Sequence, residues 1–420
     1  MLIQGLVNRG VRLSFTFIFK DRLGNETLLY AEEGQLVRDV LITNGIPPPS
    51  VVVESNGQIV HDDHRLLPNN YYEARLIEAY DINFLRDLYK PILESEGISS
   101  LYSKRLFLIS KNGNIVKNER NLKSLNQLAS LIEDRVYDTV ATYKLINQND
   151  SVLIGLSGGV DSSAMTTILS EIRKRKDFDF NIIAATFEGF DSRFSPTLSR
   201  AKELATRLDI EHHIINADVI NEIFNLRKPL HEILQELMTT EYSHFVMYVD
   251  HHTTRRALEY FAENNNIKKI ALGLHTSDLL GGWLNAIITG YKMANLPLRK
   301  IGDLSYVYPL IFISKKELHL YYLAKYGEFI KQSYPNPWEL HPKDRNFYYY
   351  LADFLQYYWP GIEHWVLHTY IENKETDLKY STCANCGAHI LLQSEKETDR
   401  NGLCDVCYLL SKKGYLKENF

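Results

Sequence analysis

A short glycine-containing segment carries the strongest chemical signal in the sequence. Residues Ser157–Ser163 read Ser-Gly-Gly-Val-Asp-Ser-Ser, after an apolar run at Ser151–Leu156 and before a predicted helix at Ala164–Arg173. Glycine has no Cβ atom, so backbone N–H groups can approach an anion closely, and the helix adds free amides and its positive dipole end. The order of strand, turn and helix predicts a phosphate-binding loop. The alternative is an accidental serine and glycine turn.

The four cysteines form two CxxC pairs near the end of the sequence. Seventeen residues separate the pairs, the spacing of a zinc ribbon in which two tight turns present four thiolates to one ion. A disulfide framework is disfavoured in a reducing cytoplasm, and a redox CxxC needs no duplicate. We predict structural zinc and, because no cysteine is left over, no iron–sulfur cluster. The predicted ligands are Cys383, Cys386, Cys404 and Cys407.

Length and composition limit the class of protein. A chain of 420 residues predicts two to four domains, and 45% hydrophobic with 24% charged residues indicates a soluble globular protein. Apolar runs stay below the roughly 18 residues needed to cross a bilayer, and the N-terminal segment does not resemble a signal peptide. We expect a cytoplasmic protein with no membrane partner. The net charge of −5 indicates no general affinity for nucleic acid, so RNA would need a local patch.

The first part of the chain predicts a small sheet. Strand and turn signals, with a short helix near Leu36–Asn44, fill residues 11–80, and their order resembles a β-grasp, ubiquitin-like domain of the sulfur-carrier type. Such carriers end in a free Gly-Gly tail, whereas this chain continues through Ile77–Tyr80. The resemblance therefore implies a docking surface for a protein partner, or a purely structural role, and no sulfur transfer by this tail.

The segment after the glycine loop alternates between strands and helices. Apolar strands at Asn181–Phe187, Glu211–Asn216 and Lys269–Gly273 are separated by helical patterns, which predicts an α/β fold with a doubly wound parallel sheet. Ligands of such sheets bind beyond the carboxyl ends of the strands. The predicted domains are 11–80 (β-grasp), 81–121 (connector with a degenerate finger), 122–375 (the α/β domain) and 380–410 (zinc ribbon).

Several motifs together resemble one protein superfamily. The loop resembles the SGGxDS loop of the PP-loop ATP pyrophosphatases, and the chain resembles their branch of tRNA 2-thiouridine synthetases and cytoplasmic tRNA 2-thiolation proteins. The resemblance covers roughly residues 122–407. Its further motifs are Phe187–Gly189 with Arg193, Arg255–Arg256, Gly273–Asp278, Tyr308–Leu310 with Lys315–Glu317, and the C-terminal CxxC pairs.

The sequence also departs from that branch. Tyr248, His251 and Ser333 stand where the thiolating members have the three cysteines of an iron–sulfur cluster. The aspartate pair of the branch begins here with Ser277, the lysine of its loop is Val160, and its N-terminal finger has lost ligands at Ser124 and Gln127. The resemblance therefore implies a derived member that keeps ATP and one zinc ion.

What the resemblance implies for the site is an ATP molecule with Mg²⁺. Asp161 would help to bind Mg²⁺, and Asp278 would contact a second Mg²⁺ or water, or else serve only as a helix cap. Lys316 or Arg256 would counter the charge of the α-phosphate. The residues predicted to hold the nucleotide are Ser157, Gly158, Gly159, Asp161 and Ser162 at the phosphates, Ala185 and Thr186 at the adenine, and Gly273 at the ribose.

Two further features have a chemical and a structural interpretation. Histidine suits proton transfer, which makes His251 a candidate catalytic residue, although adjacent histidines on a helix point in different directions. The aromatic stretch Asn346–Trp359 could stack RNA bases. Packing of an amphipathic helix against the α/β domain explains the same stretch, and we favour it.

Three functions fit the sequence. The first is an adenylating transferase that cleaves ATP to AMP and pyrophosphate and activates tRNA or another acceptor for an external nucleophile. The second is a nucleotide-binding scaffold without catalysis, which the replaced residues Tyr248, His251, Ser277 and Ser333 favour. The third is an ATP-dependent ligase that forms an amide.

Overall fold

The computed structural model describes most of the chain. The described residues are 16–21, 24–78, 108–109, 115–116, 124–174, 178–189, 197–242, 245–289, 295–328, 345–359, 361–373, 380–391 and 401–417. They form a small N-terminal sheet, a central α/β sheet and a C-terminal segment that contains the cysteines.

The N-terminal part of the described chain is a five-stranded sheet with one α-helix packed on it. Its order is β2-β1-β5-β3-β4, in which β1 and β5 are parallel and the other neighbours antiparallel. Alternate residues of β1, Phe17 and Phe19, are buried and share a core with Val40 and Leu41 of the helix. Elements occur in the predicted order, while the assignment as a β-grasp domain stays a prediction. The elements are β1 Thr16–Lys20, β2 Glu26–Leu28, α1 Val37–Thr43, β3 Val51–Ser55, β4 Gln58–Val60 and β5 Tyr71–Leu76.

Only a short strand pair of the predicted connector is described. β6 Leu108–Ile109 pairs with β7 Ile115–Val116, and the rest of 81–121 lies outside the described residues. Ser124, at one position of the degenerate finger, caps the helix that follows by accepting a hydrogen bond from the backbone N–H of Gln127 at 3.2 Å. These two residues therefore form the N-terminal cap of this helix.

The central sheet confirms the predicted α/β fold. Its order is β10-β9-β8-β11-β13-β12, and every neighbouring pair is parallel except β12 with β13. The strands are β8 Ser151–Gly155, β9 Asn181–Phe187, β10 Glu211–Ile215, β11 Lys269–Ala271, β12 Leu298–Ile301 and β13 Leu304–Val307.

Helices cover both faces of this sheet. In β8, Val152 and Ile154 belong to one apolar core and Leu153 to the other, because successive side chains of a strand point to opposite faces. One core is completed by α2 Leu125–Thr142, α3 Val160–Arg173, α4 Thr197–Leu208 and α9 Lys315–Tyr326, and the other by α5 Ala217–Ile223, α6 Leu230–Met238 and α7 Val246–Asn264.

Helix starts are where the sequence prediction was least accurate. Helix α3 begins at Val160 instead of Ala164, so Asp161 and Ser162 lie in its first turn. Helix α8, Thr276–Thr289, begins three residues earlier than predicted. The hairpin of β12 and β13 and the helices α5 and α9 were not predicted, since short elements give a weak periodic signal.

The remaining helices connect the three parts. Helix α10, Arg345–Tyr358, contains the aromatic stretch, and its Tyr350 and Phe354 pack into the core of the N-terminal sheet. The helix also packs on α8, as the favoured interpretation requires. After α11, Ile362–Glu372, the chain forms β14 Tyr380–Thr382, β15 His389–Leu391 and α12 Asp405–Lys412. In the described part of the chain, no helix combines the length and apolar character needed to span a membrane.

Candidate functional site

The glycine loop lies at the switch point of the central sheet. From β8 the chain runs outward through β9 and β10 and then returns to β11 on the other side of β8. The loops that leave β8 and β11 therefore start from adjacent strands and turn to opposite sides. Open α/β sheets bind their ligands in the crevice that forms there.

Gly158 has a conformation and a position that strongly disfavour any residue with a Cβ atom. Its φ is +75°, and a Cβ atom there would lie 2.1 Å from the backbone oxygen of Thr197 at the start of α4. Arg200 of the same helix donates from Nε to the carbonyl oxygen of Gly158 at 3.0 Å. The loop is therefore clamped against α4. The sequence analysis missed Arg200, which falls in an ordinary helical pattern.

The two predicted serines close the loop on itself. Their hydroxyl oxygens are 3.0 Å apart, and Ser162 Oγ accepts from the backbone N–H of Ser157 at 3.2 Å. Helix α3 begins after Gly159 without a side-chain cap. Its first amides are thus free of a competing side chain, which is the arrangement that binds anions at helix N-termini.

An ion pair stands beside the loop. Asp161 Oδ2 is 2.6 Å from Lys315 Nζ at the start of α9. Burial alone would raise the pKa of Asp161, but Lys315 lowers it below its usual value. Burial would likewise lower the pKa of Lys315, but the carboxylates of Asp161, Glu78 and Asp278 raise it. Both groups are therefore charged at neutral pH. Asp161 Oδ1 is buried and has no hydrogen-bond partner within the described structure.

The loop after β11 completes this edge of the site. A Cβ atom on Gly273 would lie 3.2 Å from the carbonyl carbon of Asp161, so the two loops touch. Asp278 accepts from the backbone N–H of His275 at 3.2 Å, while His275 Nδ1 accepts from the backbone N–H of Asp278 at 3.3 Å. These reciprocal bonds cap α8. Asp278 thus has the capping contact that its structural interpretation required, and it also faces Lys315.

Two of the predicted catalytic residues lie elsewhere. Lys316 donates to the carbonyl oxygen of Pro48 at 3.1 Å and to Asp62 at 2.7 Å, both in the N-terminal sheet domain. Arg256 donates to the carbonyl oxygen of Cys386 at 3.1 Å and pairs with Glu259. The structure therefore does not bring either cation to the glycine loop. Lys315, the neighbour of Lys316, lies beside the loop, as does Arg200 of α4.

The predicted adenine contacts are buried in the sheet. Ala185 and Thr186 are at most 4% exposed, and the hydroxyl of Thr186 donates to the carbonyl oxygen of Leu156 at 2.6 Å. His212 Nε2 of the edge strand lies 2.7 Å from the same hydroxyl. These contacts fix the end of β9 beside the loop. The contact with adenine itself stays a prediction.

The four cysteines form a second site. Their sulfur atoms all lie within 4.8 Å of one another, and all four residues are buried. Backbone N–H groups point at two of the sulfurs, from Cys404 to Cys383 at 3.3 Å and from Cys407 to Cys404 at 3.4 Å. The side chain of Asn385 donates to Cys407 at 3.3 Å. Thiolates stabilised in this way can hold a metal ion.

A histidine from the α/β domain contacts this cysteine cluster. Nε2 of His252, on α7, is 3.5 Å from Cys404 Sγ and 4.0 Å from Cys386 Sγ, and the residue is buried. His251, the candidate catalytic residue, is exposed on the same helix. The two adjacent histidines thus point in different directions, as helical geometry requires, and His252 contacts the cysteine cluster. Its position in the sequence gave no signal for this contact.

We expect His252→Phe to weaken metal binding by the cysteine cluster about 10- to 100-fold, the usual effect of removing a donor to a metal ligand. The ring keeps its packing against Phe224 and Tyr248 but cannot donate to Cys404. Competition with a chromogenic chelator measures the affinity. His251→Phe is the matched control and should change it less than twofold. Equal effects of the two substitutions would refute the contact.

The chain matches known proteins over the region of the glycine loop. The family model described as asparagine synthase matches residues 132–259. A tRNA-cytidine(32) 2-sulfurtransferase of Bordetella pertussis is 27% identical over 215 residues, 49% of this chain and 59% of that protein. The enzyme of the same name from Shewanella denitrificans is 28% identical over 50% of this chain and 61% of that protein. The matched region thus spans about six tenths of these relatives.

A solved structure supports the fold. It is the U34-tRNA thiolase NcsA from Methanococcus maripaludis with its [4Fe-4S] cluster, which aligns with 76% of this chain and 97% of its own at a TM-score of 0.50 and 18% identity. At that identity the similarity concerns the fold alone.

The sheet with its glycine loop at the switch point is similar in fold to the thiolase, and the segment around the loop is similar to the asparagine synthase family model. Over about half of its length the chain is similar to tRNA-cytidine(32) 2-sulfurtransferases.

Proposed function

We propose that the protein binds ATP with Mg²⁺ and cleaves it to AMP and pyrophosphate, transferring the AMP to an acceptor. The observation that carries the proposal is the loop of Ser157–Ser162 at the start of α3, clamped through Gly158 and flanked by the Asp161–Lys315 ion pair. Loop amides and a helix N-terminus suit the phosphates that leave as pyrophosphate. The protein supplies position and charge, which is most of what such a transfer needs.

Lys315 takes the role that the sequence suggested for Lys316 or Arg256. Its side chain is 14% exposed beside the loop, and its ammonium is held by Asp161 at 2.6 Å. The orphaned oxygen of Asp161 suits a hard divalent cation, and the ion would screen the charge of the phosphates. Asp161 would hold that ion, and Lys315 would then be able to pair with a phosphate oxygen. Asp278 is the second carboxylate on this side of the site.

tRNA is the acceptor that we propose. Support comes from the relatives that are named as tRNA-cytidine(32) 2-sulfurtransferases. The net charge of −5 means that a local surface would have to bind the RNA. An amide-forming ligase is the second candidate, and the match to the asparagine synthase model favours it. An absolute requirement for ammonia or an amine would distinguish the ligase.

Zinc is the metal that we propose for the cysteine cluster. Zn–S bonds of about 2.3 Å in a tetrahedron hold the sulfurs about 3.8 Å apart, and Cys386 Sγ and Cys404 Sγ are 3.8 Å apart. A four-iron cluster binds each cysteine through a different iron atom and needs more space between the sulfurs. The short distance between these sulfur atoms therefore favours a single zinc ion over a four-iron cluster such as that of the thiolase. Elemental analysis of the purified protein distinguishes the two metals.

The function is tested by the products. Purified protein incubated with ATP, Mg²⁺ and tRNA should release pyrophosphate in amounts equal to the AMP that is freed or transferred. The reaction with tRNA omitted shows whether the acceptor is needed. Release of ADP and phosphate would contradict cleavage between the α and β phosphates, and ATP binding with no product across tRNA, ammonia and amines would favour the scaffold.

The two adjacent lysines provide a sharper test. We expect Lys315→Met to lower the rate of pyrophosphate release at least about a hundredfold, a loss of roughly 2.7 kcal/mol of transition-state stabilisation. Lys316→Met should lower it less than about threefold, because Lys316 pairs with Asp62 and Pro48 in another domain. The reverse order of effects would restore Lys316 as the catalytic lysine.

A further inference from the structure

The segment that follows the last strand of the N-terminal sheet lies next to the proposed ATP site. The chain leaves β5 at Leu76, and the backbone N–H of Ile77 then donates to the carbonyl oxygen of Ser50 at 2.9 Å. The backbone of Ile77 also makes a hydrogen bond with the imidazole ring of His319, which lies one helical turn after Lys315 on α9. Residues four apart lie on one face of a helix. The next residue, Glu78, therefore lies on the side of α9 that carries Lys315.

Glu78 is buried among charges. It is only 7% exposed, and the titratable side chains that act on it are Lys315, His275, Asp161 and Asp278. Burial raises the pKa of its carboxyl group. Three carboxyl groups thus lie around Lys315 and around His275, whose Nε2 is 3.8 Å from Asp161 Oδ1 and 3.4 Å from Asp278 Oδ2. Burial and then Lys315 lower the pKa of His319 to about 3 and keep that ring neutral. Lys315 is the permanent cation among these described groups, and the carboxyl groups outnumber it.

The unpaired atoms of this group point to a ligand. Glu78 Oε1, Asp161 Oδ1 and His319 Nε2 are each buried without a hydrogen-bond partner in the described structure. Leaving such atoms unpaired costs about 1–3 kcal/mol each, so their concentration at one place needs a compensating partner. An anion would be repelled by the carboxylates. A divalent cation would satisfy the oxygens and balance the charge.

We propose that Glu78, supplied by the N-terminal sheet domain, is a positioning residue for the divalent cation that accompanies ATP at Asp161. This inference rests on the proposed function and assigns the N-terminal domain a direct part in it. Among the described residues only the four cysteines bring three or more ligand atoms within 4.8 Å of one another, so the carboxylates do not form a closed cage. That suits Mg²⁺, which is bound through one or two carboxylates and keeps several waters for other groups to hold.

The test measures the cation directly. Mn²⁺ replaces Mg²⁺, an ATP analogue with a methylene bridge between the α and β phosphates prevents turnover, and the electron paramagnetic resonance signal of free Mn²⁺ reports binding. We expect Glu78→Gln to weaken Mn²⁺ binding in the presence of the analogue about tenfold. The affinity for the analogue without a cation should change less than about twofold, because Glu78 acts on the ion.

Two variants separate positioning from structure. Asp62→Asn removes the other carboxylate by which the N-terminal domain reaches α9, through Lys316, and should leave Mn²⁺ binding unchanged. Glu78→Asp keeps the charge and should bind Mn²⁺ within about threefold of the natural protein. Thermal unfolding should show Glu78→Gln to be at least as stable as the natural protein, since it removes a buried carboxyl group whose Oε1 has no hydrogen-bond partner in the described structure.

Each outcome decides the proposal. Natural Mn²⁺ affinity in Glu78→Gln, or equal losses of Mn²⁺ and cation-free nucleotide affinity, would overturn it, as would Glu78→Asp behaving like Glu78→Gln. If the natural protein binds Mn²⁺ with the analogue but releases no pyrophosphate from ATP, the proposed activity fails while the role of Glu78 stands. If the natural protein binds neither, both are wrong.

Discussion

Gly158→Ala is expected to lower the affinity for ATP at least about a hundredfold, or about 2.7 kcal/mol of binding energy. The added methyl group would lie 2.1 Å from the backbone oxygen of Thr197 and 2.9 Å from its carbonyl carbon, and neither atom belongs to a flexible side chain. The loop or the start of α4 must therefore move. The φ of +75° adds a strain of about 1–2 kcal/mol for any residue with a Cβ atom. Isothermal titration calorimetry with Mg²⁺ and ATP measures the loss.

The neighbouring glycine supplies the matched control. Gly159 has an ordinary extended conformation, with φ −78° and ψ 168°, and a Cβ atom there would meet only Ser157 Oγ at 3.4 Å. Gly159→Ala should therefore change the free energy of unfolding by less than about 1 kcal/mol and weaken ATP binding less than about tenfold. ATP binding by Gly158→Ala at the natural affinity would show that the clamped loop is not the nucleotide site.

The loop and the sheet could be predicted because their signals are local. Glycines, a following helix and alternating apolar runs are visible in consecutive residues, and the strand Asn181–Phe187 was predicted with its exact bounds. The start of α3 was placed four residues late, at Ala164, because the polar residues Asp161 and Ser162 resemble a turn. In the structure they occupy the first helical turn, where polar and acidic residues are favourable.

The identity of the lysine that pairs with Asp161 beside the loop could not be predicted in the same way. The sequence Ser314-Lys315-Lys316-Glu317 contains a capping box, which the structure forms, so the start of α9 was within reach of sequence reasoning. Adjacent helical residues, however, point about 100° apart. Which lysine faces the loop depends on how α9 packs between the two domains. Glu78 and His252 raise the same difficulty, since each acts across a domain contact.

Loss of the metal is expected to have the second large effect. Cys404→Ser should abolish binding of one zinc ion per chain and lower the free energy of unfolding by about 4 kcal/mol or more, because structural zinc contributes folding energy directly. The four cysteines belong to the same apolar core as Leu230 and Ile233 of α6 and Val249 of α7. Without the ion, their thiolates would be a charged group buried in that core. Thermal unfolding and elemental analysis measure the two effects.

The control for this substitution tests whether the loss comes from the metal. Chelation of zinc from the natural protein should lower its unfolding temperature as much as Cys404→Ser does, and adding zinc back should restore only the natural protein. Ser411→Ala, on the exposed side of α12, should leave zinc content and stability unchanged. A protein purified with iron and sulfide in place of zinc would contradict the assignment of the metal.

Loss of the metal from the cysteine cluster should also weaken ATP binding in the α/β domain, because α7 contacts both parts of the structure. Arg256 donates to the carbonyl oxygen of Cys386 and pairs with Glu259, which in turn accepts from the buried hydroxyl of Tyr306 in β13. If the segment with the cysteine cluster moves away without its metal, Arg256 loses the carbonyl oxygen of Cys386 as an acceptor, and part of its buried guanidinium has no hydrogen-bond partner. The chain of contacts connects the cysteine cluster to a strand beside β11, whose loop contains Gly273. Chelation should therefore weaken ATP binding as well, although no cysteine lies at the glycine loop, and unchanged ATP affinity in zinc-free protein would show that the two sites are independent.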